Sequence, residues 1–347
     1  MKVGYTQKVK VLVKTSLVVS AMLALAACGG GASSDGASSD QSKNGETTSF
    51  KISHVTQESH VWHKTVEKFG EELETLSDGK MSVEIFPGSQ LGLEKDMVQQ
   101  LETGSLDFGF LTNAYMSTRQ DSLNAWFMPF TFENLKEAAA MRESDAAKQM
   151  LEELDSQGLV GLDFMFAGNR HVLLKDGAVQ SPDHLKGKKI RIIGSPAMQD
   201  FWQEVDAGPT AMPLSEVYTS LQTGVIDGID IDLDALVTEK YYENAENLTL
   251  TNHMTFPTVV VMSKQVYEGL SEEDRKIVKE AMTNAVNWGV EEAIAREEKN
   301  LEELKKLGVK VEELKDPSLF DSTKKTITDK YEGESEVIKS FLEEVQK

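Results

Sequence analysis

The chain is 347 residues long and carries 36 Lys and Arg against 57 Asp and Glu, for a formal net charge of −21 at neutral pH. Such an excess of acid excludes nucleic acid binding through a basic face, and it excludes electrostatic adhesion to an anionic bilayer. About 300 residues follow the N-terminal leader and tether, enough for two domains with substantial cores.

The first segment reads as an export signal. Lys2, Lys8, Lys10 and Lys14 make it basic, residues 17–27 form an apolar run too short for a stable span, and small residues follow. Leu25-Ala26-Ala27-Cys28 has the form of a bacterial lipobox, so residues 1–28 are expected to be a lipoprotein signal whose Cys28 is acylated. An ordinary secretory cleavage site is the alternative. Residues 29–48, rich in Gly, Ser, Ala and Asp, lack the apolar content to offset chain entropy and are expected to be a flexible tether. No other segment is a candidate for crossing a membrane, which leaves the lipid as the anchor.

From residue 50, short β-branched runs alternate with amphipathic ones. The expected strands are 50–55, 82–86, 106–111, 160–165, 190–193, 225–231 and 258–262; the expected helices are 59–76, 94–103, 133–156, 196–205, 215–222 and 234–242. This alternation predicts an α/β fold with largely parallel sheets. Gly104-Ser105-Leu106-Asp107 and Gly224-Val225-Ile226-Asp227 share a local form, a helix end leading into a strand, and predict equivalent corners in two similar domains. A longer helix follows the capping sequence Ser271-Glu272-Glu273-Asp274 and stops at Gly308. At 1.5 Å per residue it would be roughly 50 Å long, enough to brace two domains. A coiled-coil stalk is the alternative, but Gly289 and the acidic residues of 291–298 interrupt any clean heptad.

Arg191 stands inside an apolar strand pattern, Lys189-Ile190-Arg191-Ile192-Ile193. Its guanidinium stays charged, and its fork of donors suits a carboxylate, so burial without a partner would cost about 3 to 5 kcal/mol. The partner is either an internal acid such as Asp227 or a bound anion. His60 and His63 could share a helix face, yet no acid or cysteine completes a metal shell. Asp227, Asp230, Asp232 and Asp234 alternate with Ile and Leu in a strand rhythm and lack the glycine and terminal Glu of a calcium loop. Neither a Gly-x-Ser-x-Gly elbow nor a nucleophile–base constellation is evident, so a binding protein is expected rather than an enzyme, with no metal or cofactor.

Nine segments, in order, are collectively specific: Ser-His-Val-Thr at 53–56, Phe-Pro-Gly-Ser-Gln-Leu-Gly at 86–92, Leu-Glu-Thr-Gly-Ser-Leu-Asp at 101–107, Met-Pro-Phe-Thr-Phe at 128–132, Gly-Asn-Arg-His at 168–171, Leu-Lys-Gly-Lys-Lys-Ile-Arg at 185–191, Pro-Leu-Ser-Glu-Val-Tyr at 213–218, Gln-Thr-Gly-Val-Ile-Asp-Gly at 222–228 and Leu-Thr-Asn-His at 250–253. Together they resemble the DctP-type solute-binding proteins of tripartite ATP-independent periplasmic (TRAP) transporters, over about residues 49–310.

The resemblance implies a two-lobed periplasmic-binding-protein fold with hinge strands, an interlobe ligand cleft and a long helix spanning both lobes. Lobe I is expected as 49–168 plus 257–296 and lobe II as 169–256 plus 297–347. It gives Arg191 the role of clamping a ligand carboxylate and makes Arg170 the second cleft cation, or an arginine that orients the hinge. From their place at strand ends, His54, Thr112 and Asn113 are expected on the ligand, Thr112 and Asn113 being otherwise ordinary loop residues; Glu94 matches an acidic cleft position or is simply a helix N-terminal acid favoured by the dipole, and Leu214 holds a position often aromatic in the family. The family's usual Asp-Gly-Gln-Glu-Asn-Pro-Leu is altered here: Ile229, Ile231 and Asp232 replace the glutamine, asparagine and proline. Asp230 and Asp232 are therefore expected to accept from hydroxyl or amino groups of a sugar acid, hydroxy acid or amino-acid-like solute, or else to face solvent and cap a helix. Implied partners are the small and large TRAP membrane subunits, and a monomer held extracytoplasmically by its lipid is expected. A receptor presenting its ligand to a membrane sensor, or one for C4-dicarboxylates, is the alternative.

Overall fold

β1 (Thr48–His54), α1 (Val61–Leu76), β2 (Met81–Phe86), α2 (Glu94–Glu102) and β3 (Phe108–Thr112) make a parallel βαβαβ unit in which β1 lies between β2 and β3. The computed structural model describes residues 47–347, so Cys28, the signal and nearly all of the expected tether lie outside the described residues; Thr48, the last expected tether residue, opens β1. After α3 (Asn113–Met116), the long helix expected over 133–156 is broken into α4 (Leu135–Ala140) and α5 (Asp145–Glu153), joined by a 3-10 turn at Met141–Glu143. The break follows from two N-caps: Asn134 accepts from Glu137 N, and Ser144 accepts from Ala147 N.

β4 (Leu159–Leu174) leads to a second βαβαβ unit made of β5 (Lys189–Ile192), α6 (Pro196–Glu204), β6 (Gly208–Ala211), α7 (Leu214–Thr223) and β7 (Gly228–Ile231), with β5 between β6 and β7. The two glycine-to-aspartate corners are equivalent, as expected. Asp107 accepts from Lys51 N at 2.6 Å and Asp227 accepts from Lys189 N at 2.7 Å, each tying a corner to the central strand of its unit.

α8 (Leu233–Thr238) begins at its N-cap Asp232 rather than at Asp234. It is followed by β8 (Asn247–Ser263), α9 (Lys264–Gly269), α10 (Glu272–Lys306), β9 (Lys310–Glu313), α11 (Asp321–Glu334) and α12 (Glu336–Val345). β4 and β8 run far beyond the expected 160–165 and 258–262. Their polar middles, Gly168-Asn169-Arg170-His171 and Thr251-Asn252-His253, fall outside every expected strand and helix but pair strand to strand or bond locally. These two long strands are antiparallel and join the units into one mixed sheet of nine strands, ordered β2-β1-β3-β8-β4-β7-β5-β6 with β9 beside β8. The largely parallel sheets expected therefore hold within each unit and fail at the centre.

α10, at about 50 Å for its 35 residues, packs on α1, β4 and α8. Gly289 permits this approach, since a Cβ there would stand 2.2 Å from Thr65 Oγ1 and 2.9 Å from Met165 Cε. One apolar core fills the first unit and extends under α6; a smaller one gathers β7, α7 and α8 with Leu304 of α10. The terminal helix α12 packs on α5 and sets Phe341 edge-on to Trp126 at 4.7 Å, so residues 336–345 lie against residues of the segment expected as lobe I.

Candidate functional site

The carboxyl ends of both parallel units open on one cavity of about 270 Å³. His60 and Trp62 at the start of α1, Glu94 at the start of α2 and Thr112 at the end of β3 line it from the first unit. Arg191, Leu214 and Asp232 line it from the second, and Phe256 of β8 closes it. Sites at strand carboxyl ends are general in α/β sheets, because helix starts and loops converge there.

Arg191 is 1% exposed. Its Nε and Nη2 donate to Met212 O at 3.2 and 3.0 Å, while Nη1 finds no partner among the described residues. The internal acid considered for it, Asp227, is occupied with Lys189 N, and no described carboxylate lies within 4.0 Å of the guanidinium. Burial pulls the Arg191 pKa down to about 10. This is a desolvated cation with an unpartnered donor, on a residue that borders the cavity.

Arg170 is also fully buried but is fully paired. It donates to the Asp230 carboxylate, to Asp230 O and to Asp232 Oδ2, the last at 3.0 Å, and its guanidinium lies 4.3 Å over the Phe256 ring. Register shifts in the β4–β8 ladder at Phe166/Gly168 and Arg170/Val172 bracket this residue, and such bulges re-aim a side chain. Asp230 also accepts from Trp202 Nε1 at 2.9 Å and meets His253 Nε2 at 3.3 Å. Burial pushes its carboxyl up, but Arg170 and His253 more than offset this and hold it well below the usual carboxylate range.

Across the cleft, Glu94 accepts from Thr112 N at 2.6 Å and from Thr112 Oγ1 at 3.0 Å. Burial raises its pKa to about 7 against the opposing pull of these bonds and of Arg191. His60 caps α1 by accepting from Trp62 N, and its Nε2 lies 3.7 Å from Asp234. Asp234, on α8 of the second unit, accepts from Val61 N of the first at 2.7 Å and from Asn300 and Arg296 of α10, so one buried carboxylate joins three elements.

The structure brings Arg191, Arg170, Glu94, Thr112, Leu214 and Asp232 together, but three expected contacts do not reach the cavity. His54 is consumed inside the first unit, with Nε2 3.0 Å from His63 and Nδ1 3.0 Å from Thr56, and burial holds its pKa down at about 3. Asn113 is fully buried and donates to Leu123 O at 2.8 Å. Asp230 is spent on Arg170, and Asp232, although it borders the cavity, uses Oδ1 to cap α8 through Ala235 N and Oδ2 on Arg170. Neither aspartate faces solvent. His60, Trp62, Tyr115 and Phe256 were not expected here. For His60 and Trp62 the usable signal was their place at the first helix start after a strand carboxyl end.

A family model described as bacterial extracellular solute-binding protein, family 7 (DctP), matches residues 52–333. A TRAP periplasmic solute-binding protein of Bradyrhizobium sp. BTAi1, solved with galacturonate, is 29% identical, with a TM-score of 0.81 over 86% of this chain and 99% of that one. One from Anaerococcus prevotii, solved with glucuronate, is 26% identical, with a TM-score of 0.82 over 86% and 97%. The C4-dicarboxylate-binding periplasmic protein DctP of Shewanella loihica is 30% identical over 73% of this chain and 75% of its own. With its two parallel units, hinge strands and interlobe cavity, the chain belongs to the DctP family of extracellular solute-binding proteins that serve TRAP transporters.

Proposed function

We propose that this protein captures a small organic carboxylate in the cavity between its two units and delivers it to a TRAP membrane permease. The observation that carries this reading is Arg191: a buried guanidinium with one unpartnered nitrogen and no described acid within reach, in a cavity of small-molecule size. A ligand carboxylate supplies the missing anion. Such an anion offsets part of a desolvation cost that the ligand-free protein carries.

Two lobes are assigned, divided near 168/169 on β4 and 256/257 on β8, with α12 returned to the first. A ligand held by Arg191 from one lobe and near Glu94 and Thr112 from the other favours the closed arrangement, because only there does it touch both. Exported by its signal, acylated at Cys28 and tethered by the segment from residue 29 to the start of β1, the receptor works as a monomer at the outer side of the cell membrane. Among the described residues no helix is long and apolar enough to cross a membrane.

A thermal-shift screen of the purified protein against sugar acids, hydroxy acids, amino acids and neutral sugars tests the reading, since a ligand well above its Kd raises stability. Stabilisation by acids and not by the matching neutral sugars is expected. Equal stabilisation by neutral sugars would refute the assignment of Arg191.

A further inference from the structure

We infer that the cavity accepts one carboxylate only, and that the Asp230–Arg170–Asp232 cluster is what excludes a second. The inference rests on the carboxylate reading of Arg191 and narrows it.

Two cations border the cavity from β4 and β5, and their situations are opposite. Arg191 presents Nη1 without a partner, and beside it in the lining only Trp62 Nε1 is likewise buried and unpartnered among the described residues. Arg170, in contrast, is held by the carboxylates of both Asp230 and Asp232, by Asp230 O and by the Phe256 ring. Both carboxylates are spent on Arg170 and Asp232 borders the cavity, so that end offers a ligand anion no unpaired cation. A ligand carboxylate approaching Arg170 would meet Asp232, which borders the cavity, and could not displace it without also uncapping α8. The other polar flank is Glu94, already bonded twice by Thr112; Lys95 beside it is the one further lysine or arginine in the lining, and it is exposed at the rim rather than buried in the cavity. Between them the wall is apolar: Ile193, Met212, Leu214 and Ile231.

A second carboxylate would therefore be desolvated opposite like charge, an arrangement that interfaces use to reject wrong partners. A hydroxyl in the same place can donate to Glu94 or Asp232. The filter is built from residues that the folded protein must hold in place anyway, because Asp232 caps α8 and Asp230 is bonded by Trp202.

Titration calorimetry on the purified protein tests this with D-glucarate against its single-acid relatives D-gluconate and D-glucuronate, and with succinate against 4-hydroxybutyrate. Each diacid differs from its relatives at one terminal carbon. The single acids are expected to bind about tenfold or more tightly than the diacids. Asp232→Asn retains an N-cap acceptor for Ala235 N and removes one negative charge, so it should fold and should narrow that ratio at least about fivefold. Diacids that bind as well as the single acids, or a ratio unmoved by Asp232→Asn, would overturn the inference alone. Silence of all five probes would overturn the carboxylate reading beneath it as well.

Discussion

Arg191→Met should move stability and binding in opposite directions. The guanidinium is 1% exposed, and burial lowers its pKa from its ordinary value to about 10. At about 1.36 kcal/mol per unit, holding the charge in place costs the ligand-free fold roughly 3 kcal/mol. Because the folded pKa lies below the unfolded one, that cost is complete at every pH below about 10 and is relieved only as pH rises from there toward the ordinary arginine value. Methionine fills similar space without the charge. Met212 O loses its two donors, which returns about 1 kcal/mol or more of the gain. The ligand-free variant should therefore be about 1 to 2 kcal/mol more stable in urea at pH 7, while carboxylate binding weakens by about 2 to 5 kcal/mol, roughly 30-fold to several thousand-fold. Urea unfolding read by Trp fluorescence and calorimetry with the acid selected by thermal shift measure the two. A variant that is less stable and binds unchanged would refute the argument, since Arg191 would then be a satisfied structural cation.

Glu94 has a pKa raised to about 7, so the folded protein takes up a proton there that the unfolded chain releases near 4.5; its contribution to stability is present at low pH and is lost as pH rises from about 4.5 through 7. Glu94→Gln should flatten that part of the stability-versus-pH curve measured by urea unfolding at stepped pH; an unchanged slope would count against a buried Glu94. Gly289→Ala drives a Cβ toward Thr65 and Met165 and should cost about 1 to 3 kcal/mol in the same assay, with loss of less than about 0.5 kcal/mol contradicting the close approach of α10 to α1 and β4. Cys28→Ala should abolish incorporation of labelled palmitate in a bacterial host, and retained label would disprove acylation at that residue.

The sequence motifs and the periodicity were legible for different reasons. Each βαβ element is local, and its alternation and caps are written within a dozen residues, so β1, β2, β5, α1, α2, α6 and the 35-residue α10 lie close to where the pattern puts them. β4 and β8 were not legible in their middles. Arg170, His171 and His253 are polar residues outside any apolar alternation, and only pairing across the sheet, with Asp230 a partner to Arg170 and His253, lets them stand in buried strands. His54 shows the converse. Its position after a strand pointed to the cleft, but His63, one helix turn inside α1, sits near enough to take its ring nitrogen, and His60 reaches the cavity instead.

An arginine in an apolar strand keeps its charge at ordinary pH and needs acceptors for its donors; the sequence alone raised that need for Arg191, along with the acidic composition and the two repeated corners at Asp107 and Asp227. Which of two arginines remains free was decided only in three dimensions. Arg170 and Asp230 are 60 residues apart, and their pairing depends on β4 and β7 lying side by side in the sheet. Electrostatic partnership falls off over a few ångströms, a distance that sequence separation does not encode.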